Sequence, residues 1–279
     1  MNEHLRPIAS RKRAEITAEM EELPQHELVQ RSLSGVEPRR NLIAALTGRE
    51  LRLIAEIRRP AREHPEAALM SDPRYVAQEF AGAGAAAISV VTDDPRCGTE
   101  QHLLRRARRY MALPVMQWDW FVDEYQVYRA WDDGADAVAL VVGLVDDDTL
   151  QRMMRAAWKL RVAAVPVVRD ELEVDSALAA GAEIVCIHNS DFDGGEADIE
   201  VTERLARLIP GNVLVIAARG IVTRADAERV AAAGADAALF EPPADYDLAK
   251  DAIRDLRGVP APGRHADGAP RTPEELEEK

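Results

Sequence analysis

The chain has 279 residues, 47% of them hydrophobic and 5% aromatic, and a formal net charge of -14. That apolar share fills one large core, and so acidic a surface repels phosphate backbones, which argues against a nucleic-acid partner. Met1-Asn2-Glu3-His4-Leu5-Arg6 lacks the apolar core of a leader, and no stretch nears the ~18 uninterrupted apolar residues of a membrane span. Cys97 and Cys186 form neither a disulfide framework nor a metal-type spacing, so a reducing cytoplasm is expected, with no membrane, metal or cofactor.

Residues 1–48 read as helical: Arg11 to Leu23, Gln25 to Ser32, then Pro38 to Thr47. Apolar runs follow at about 51–57, 86–92, 113–119, 135–142, 162–168, 183–189, 212–218 and 235–240. They are continuous rather than alternating, as parallel strands covered by helices should be. Pro166 deletes a ladder hydrogen bond from the fifth run and is expected near a strand end or bulge. Helical patterns lie between the runs, among them 146–160 behind the capping cluster Asp146-Asp147-Asp148, and 223–233 with Thr223 as N-cap.

An internal echo supports this order. Ala81-Gly82-Ala83-Gly84-Ala85, Asp133-Gly134-Ala135-Asp136, Ala180-Gly181-Ala182-Glu183 and Ala233-Gly234-Ala235-Asp236 each close a helix and open an apolar run. The spacing of about fifty residues fits every second βα unit of a barrel. The expected fold is a single (β/α)8 barrel over 49–257 with an N-terminal helical extension over 1–48. From Gly258 the chain turns Pro- and Gly-rich and ends in Glu274-Glu275-Leu276-Glu277-Glu278, which reads as a disordered acidic tail over 258–279.

The first run, Leu53-Ile54-Ala55-Glu56-Ile57-Arg58, closes on two charges two residues apart, so Glu56 and Arg58 share a face at the strand's end. This segment resembles the first strand of the indole-3-glycerol phosphate synthase family, which reads Ala-Glu-Ile-Lys. The resemblance covers about residues 4 to 257. It is carried also by Ala87-Ile88-Ser89-Val90-Val91-Thr92-Asp93, by Asp119-Trp120-Phe121-Val122-Asp123-Glu124-Tyr125-Gln126-Val127-Tyr128, by Thr202-Glu203-Arg204-Leu205-Ala206 and by Ala231-Ala232-Ala233-Gly234-Ala235-Asp236-Ala237.

The resemblance implies a tryptophan-pathway lyase that closes an indole ring on a phosphorylated anilino-ribulose, losing carbon dioxide and water. It implies lysines that protonate and orient the substrate, a carboxylate for the dehydration proton, and backbone amides that hold the phosphate. Carried over by position, the first-strand glutamate is kept as Glu56. The lysine two residues on is Arg58, cationic but slow to release a proton. The lysine before Asp119 is Trp118, the fifth-strand glutamate is Val167, and the sixth-strand asparagine and arginine are His188 and Ser190. The seventh-strand Glu-Ser-Gly reads Ala218-Arg219-Gly220. The first-loop Ser-Pro-Ser reads Ala61-Arg62-Glu63, and the last-strand Gly-Ser reads Glu241-Pro242. Glu241 would repel a phosphate, and Pro242 removes an amide donor.

Three readings stay open. In one, the barrel binds or transforms a small aromatic or carboxylate metabolite by non-family chemistry. Glu56 and His188 would then move protons, with Asp119 at the same mouth. Arg58 or Arg219 would clamp a carboxylate, and Trp118, Gly220 and Glu241 would line the site. The gain of His188, Arg219 and Glu241 favours it. In the second, the chain is a genuine synthase with an unusual site. In the third, Arg219, Glu241, Arg58 and Glu56 satisfy one another, Trp118 plugs the mouth, and the barrel is a silent binding or scaffold protein. Trp120 alternates away from Trp118 and is expected behind the mouth. Glu56, Asp119 and His188 make only a weak metal set, Cys97 is an inert thiol in the loop after the second strand, and Cys186 points into the core below His188. A small-molecule partner and a monomer or homodimer are expected.

Overall fold

The computed structural model describes residues 3–34, 38–58, 73–94, 98–99, 102–192, 195–243 and 246–261. Eight parallel strands form a closed barrel: β1 (Arg52–Ile57), β2 (Ala87–Val91), β3 (Val115–Trp118), β4 (Ala137–Val141), β5 (Ala163–Val168), β6 (Ile184–His188), β7 (Leu214–Ala218) and β8 (Ala237–Phe240). Each is bonded to its sequence neighbours, and β8 closes onto β1 with Arg52 opposite Ala237. All eight expected runs are strands, trimmed by one or two residues at their ends.

Helices α1 (Arg6–Glu22), α2 (Gln25–Leu33) and α3 (Leu42–Leu46) precede the barrel. The first starts earlier than expected, because Pro7 suits a helix's opening turn. The third is shorter, since Asn41 rather than Pro38 caps it, accepting a hydrogen bond from the Ala44 N–H. The others are α4 (Pro73–Ala83), α5 (His102–Tyr110), α6 (Glu124–Asp132), α7 (Asp147–Leu160), α8 (Glu171–Ala179), α9 (Glu200–Leu205), α10 (Arg224–Ala232) and α11 (Tyr246–Leu256). Asp146 and Thr223 cap α7 and α10 as the sequence suggests.

The strands are apolar because both faces are covered; β2, β4, β6, β7 and β8 are buried throughout. The glycines of the echo, Gly84, Gly134, Gly181 and Gly234, all take positive φ at the helix-to-strand turn. Its aspartates have a function as well. Asp136 accepts the Val115 N–H at 3.0 Å and Asp236 accepts the Val215 N–H at 2.9 Å, each tying a strand's start to that of the preceding strand.

Pro166 sits inside β5 opposite Leu140, not at a strand end. The ladder from β5 to β6 opens only at Val167, one residue later. Val259 and Ala261 are not loose either: Leu51 N–H donates to the Val259 carbonyl at 2.8 Å, and Ala261 N–H to that of Arg49 at 3.0 Å. The remainder of the expected tail, with Ala61, Arg62, Glu63 and Cys97, lies outside the described residues. No described helix is long and apolar enough to cross a membrane.

Candidate functional site

The strands' C-terminal ends carry the candidate residues, and barrel closure sorts them into three groups. The first joins β1, β7 and β8. Arg58 Nε donates to Glu56 Oε1 at 2.9 Å, and Arg58 Nη2 reaches Glu241 Oε1 at 2.9 Å. Arg219 Nη1 pairs with the same Glu241 oxygen. Two guanidinium groups and two carboxylates thus neutralise one another. Glu56 lies deep in this group, whereas Glu241 is at its open edge.

Backbone geometry holds Arg219 there. Its φ is +76°, a left-handed conformation uncommon outside glycine, and Gly220 follows at +77°. Asn189 Nδ2 donates to the Arg219 carbonyl at 3.0 Å. A Cβ on Gly220 would stand 2.9 Å from Ala197 Cβ, so both space and φ require glycine. Gly220 therefore shapes a turn, whatever else it does.

The second group is aromatic. Trp118 and His188 rings lie 5.8 Å apart, His188 stacks on Phe192 at 4.5 Å, and Trp120 meets Phe192 edge-on at 5.6 Å. Trp120 thus joins the cluster through Phe192 instead of lying behind it. His188 Nδ1 sits 2.7 Å from the Ser190 carbonyl. A carbonyl only accepts, so Nδ1 carries the proton and Nε2 is the acceptor. Burial pushes the imidazole pKa down to about 3, and Arg219, Arg169 and Arg58 push the same way against that hydrogen bond. In this environment the ring is held neutral, with Nε2 as its acceptor. Cys186, two residues below, is fully buried, and its thiol is held protonated by desolvation and by Glu56.

The third group takes Asp119 away from Glu56 and His188. Its carboxylate receives the Lys12 ammonium at 2.7 Å, the Trp120 N–H at 2.7 Å and the Thr92 hydroxyl. Lys12, on α1, also reaches Asp93 at 2.6 Å. Burial lowers the Lys12 pKa, but Asp119 and Asp93 outweigh it and raise the net value above the ordinary one. This cluster borders a cavity of about 250 Å³ between α1, the ends of β2 and β3, and α6, lined among others by Lys12, Ile16, Thr92, Gln117 and Arg129. Asp119 fastens the N-terminal cover to the barrel.

Lys12, Arg169 and Phe192 carry much of this geometry and were not singled out from the sequence. Lys12 stands among Arg11 and Arg13 on a helix of mixed polarity, with no pattern to mark it. Arg169 had a signal: like Arg58, it is a charge directly after a barrel strand. Ser89, in register with Glu56, is fully buried, and its hydroxyl finds no partner among the described residues.

Comparison with known proteins fits this architecture. The barrel resembles an N-acetylmannosamine-6-phosphate 2-epimerase from Clostridium perfringens (TM-score 0.57, 15% identity, 75% of this chain and 92% of that one), which speaks to the fold alone. The indole-3-glycerol phosphate synthase of Mycolicibacterium smegmatis is 32% identical over 227 residues, 81% of this chain and 83% of that protein. Those of a Nocardioides species and of Chlorobium chlorochromatii are 34% and 32% identical, covering 82% and 85% of this chain and 88% and 93% of theirs. The family model for indole-3-glycerol phosphate synthase matches residues 5–241. By sequence over most of its length and by its closed eightfold barrel, the chain belongs to the indole-3-glycerol phosphate synthase family.

Proposed function

We propose that this family member binds a small aromatic carboxylate at its barrel mouth and does not perform the ring closure of its relatives. One observation carries the reading: Glu56, Arg58, Glu241 and Arg219 are linked in one ion network. It occupies positions where the family resemblance implies a lysine and a phosphate cradle, and Trp118 stands where the resemblance implies the proton-donating lysine. A guanidinium is a poor acid, and the Glu56 carboxylate is already engaged by one. Glu241 presents negative charge where a phosphate would need donors. The neutral His188 and the rings of Trp118 and Phe192 suit recognition of a planar ligand better than proton transfer.

The test is incubation of purified protein with the anilino-ribulose phosphate substrate, following indole absorbance, beside a calorimetric screen of aromatic acids. The expected result is no indole above background and measurable binding of at least one acid. A second reading, a genuine synthase, is favoured by the 32–34% identity to proteins of that name and by the retained Glu56. Turnover that disappears in Glu56→Gln would establish it and dismiss the first.

A further inference from the structure

The two arginines first expected to clamp a carboxylate, Arg58 and Arg219, are matched by Glu56 and Glu241. Arg169, at the end of β5, is held differently. Its Nη2 pairs with Asp191, whose side chain is 59% exposed against 24% for Arg169. An ion pair with so exposed a partner is screened and weak, and exchange for another carboxylate costs little. Its Nε is buried and finds no partner among the described residues. Nε and Nη2 form one edge of the guanidinium, the edge that takes a carboxylate through two parallel hydrogen bonds. Asp191 engages half of it.

The surroundings supply the rest of a site. The Arg169 guanidinium lies 5.6 Å over the Phe192 ring, which stacks on His188. Ser190, in the same turn, is 6% exposed, and its hydroxyl has no partner among the described residues. A buried hydroxyl without a partner is unfavourable, so an oxygen-bearing ligand there would be favoured. The Arg169 backbone is itself fixed, because its N–H donates to Glu173 Oε2 at 2.7 Å.

We infer that Arg169, with the Ser190 hydroxyl and the Phe192 ring, is the anion-recognising subsite of the mouth, and that it takes the carboxylate of an aryl acid in place of Asp191. The inference rests on the reading of the mouth as an aromatic-acid site and names its specificity residue. Asp191 swings to solvent, the ligand carboxylate spans Nε and Nη2, and the aryl ring lies along Phe192. No bond is made or broken.

The test compares 2-naphthoate with its uncharged isostere 2-naphthamide by titration calorimetry. The wild type should prefer the acid by roughly tenfold or more, the scale of a charge-assisted hydrogen bond. Arg169→Gln should abolish that preference, weakening naphthoate far more than naphthamide. Asp191→Asn removes the competing carboxylate and should tighten naphthoate binding, a gain that misfolding cannot imitate. If the wild type binds neither compound, the aromatic-acid reading falls and the subsite with it. If naphthoate binds and its preference survives Arg169→Gln, or Asp191→Asn weakens it, the subsite alone is overturned.

Discussion

The Lys12 ammonium of α1 stands 2.7 Å from the Asp119 carboxylate at the end of β3, both of them buried. A residue near the start of the chain thereby holds an acid on the barrel rim, and Asp93 shares the same cation at 2.6 Å. Lys12→Met would leave two buried carboxylates with less compensation. Removing one partner of a buried pair costs about 3 to 5 kcal/mol. Urea unfolding should show a loss of that order. Adding Asp93→Asn and Asp119→Asn should recover much of it, because the penalty lies in the stranded charge. A loss below about 1 kcal/mol in Lys12→Met would mean that the latch behaves as an ordinary surface pair.

Glu241 is shared by Arg58 and Arg219 at the open edge of the mouth. Glu241→Gln should leave net positive charge there. Ribose 5-phosphate should then raise the melting temperature of the variant by about 2 to 4 °C per kcal/mol of binding linkage, and leave the wild type unmoved. An equal shift in both proteins would show that the network yields to phosphate unaided.

His188 should remain neutral through the physiological range. Its pKa falls from 6.5 to about 3, chiefly by burial and then by the facing Arg219, Arg169 and Arg58. The unfolded chain gains a proton near 6.5 that the folded chain refuses, so this group's contribution is present above 6.5 and lost as pH falls toward 3. Imidazole NMR shifts should show no protonation between pH 8 and 5. His188→Gln should flatten the acid limb of the stability curve.

Glu173 runs the other way. Burial, then Asp170, raise its pKa from 4.5 to about 7, against the Arg169 N–H that it accepts. The folded chain keeps a proton that the unfolded one releases, so the contribution is full below 4.5 and is lost as pH rises through about 7. At about 1.4 kcal/mol per pKa unit, the loss is on the order of 3 kcal/mol. Glu173→Gln still accepts the Arg169 N–H. It should be the more stable protein at pH 8 and match the wild type near pH 4. Equal melting temperatures at both pH values would refute the assignment.

Much of the barrel was legible because its signals are local. A helix that ends on glycine and an apolar run that follows it are properties of a few adjacent residues. Gly134 and Gly234 show it, with Asp136 and Asp236 pairing to the preceding strands. Alternation at the end of β1 likewise placed Glu56 and Arg58 together. Where such reasoning failed, a distant contact had decided. Asp119 follows Trp118, which stacks toward His188, yet its carboxylate turns to Lys12. His188 has an ordinary ring in sequence and acquires its low pKa only from burial among arginines of β1, β5 and β7.

The amino-acid sequence alone thus determined the (β/α)8 order, the capped helices and the family. Periodicity, caps and turn glycines act within a few residues of one another. Only the tertiary structure decided which charges are matched. Closure brings Arg58 against Glu241 across 183 residues of chain, and burial fixes what each ionisable group can do. Pairing and desolvation depend on distance and exclusion of water, and neither is written in the spacing of residues along the chain.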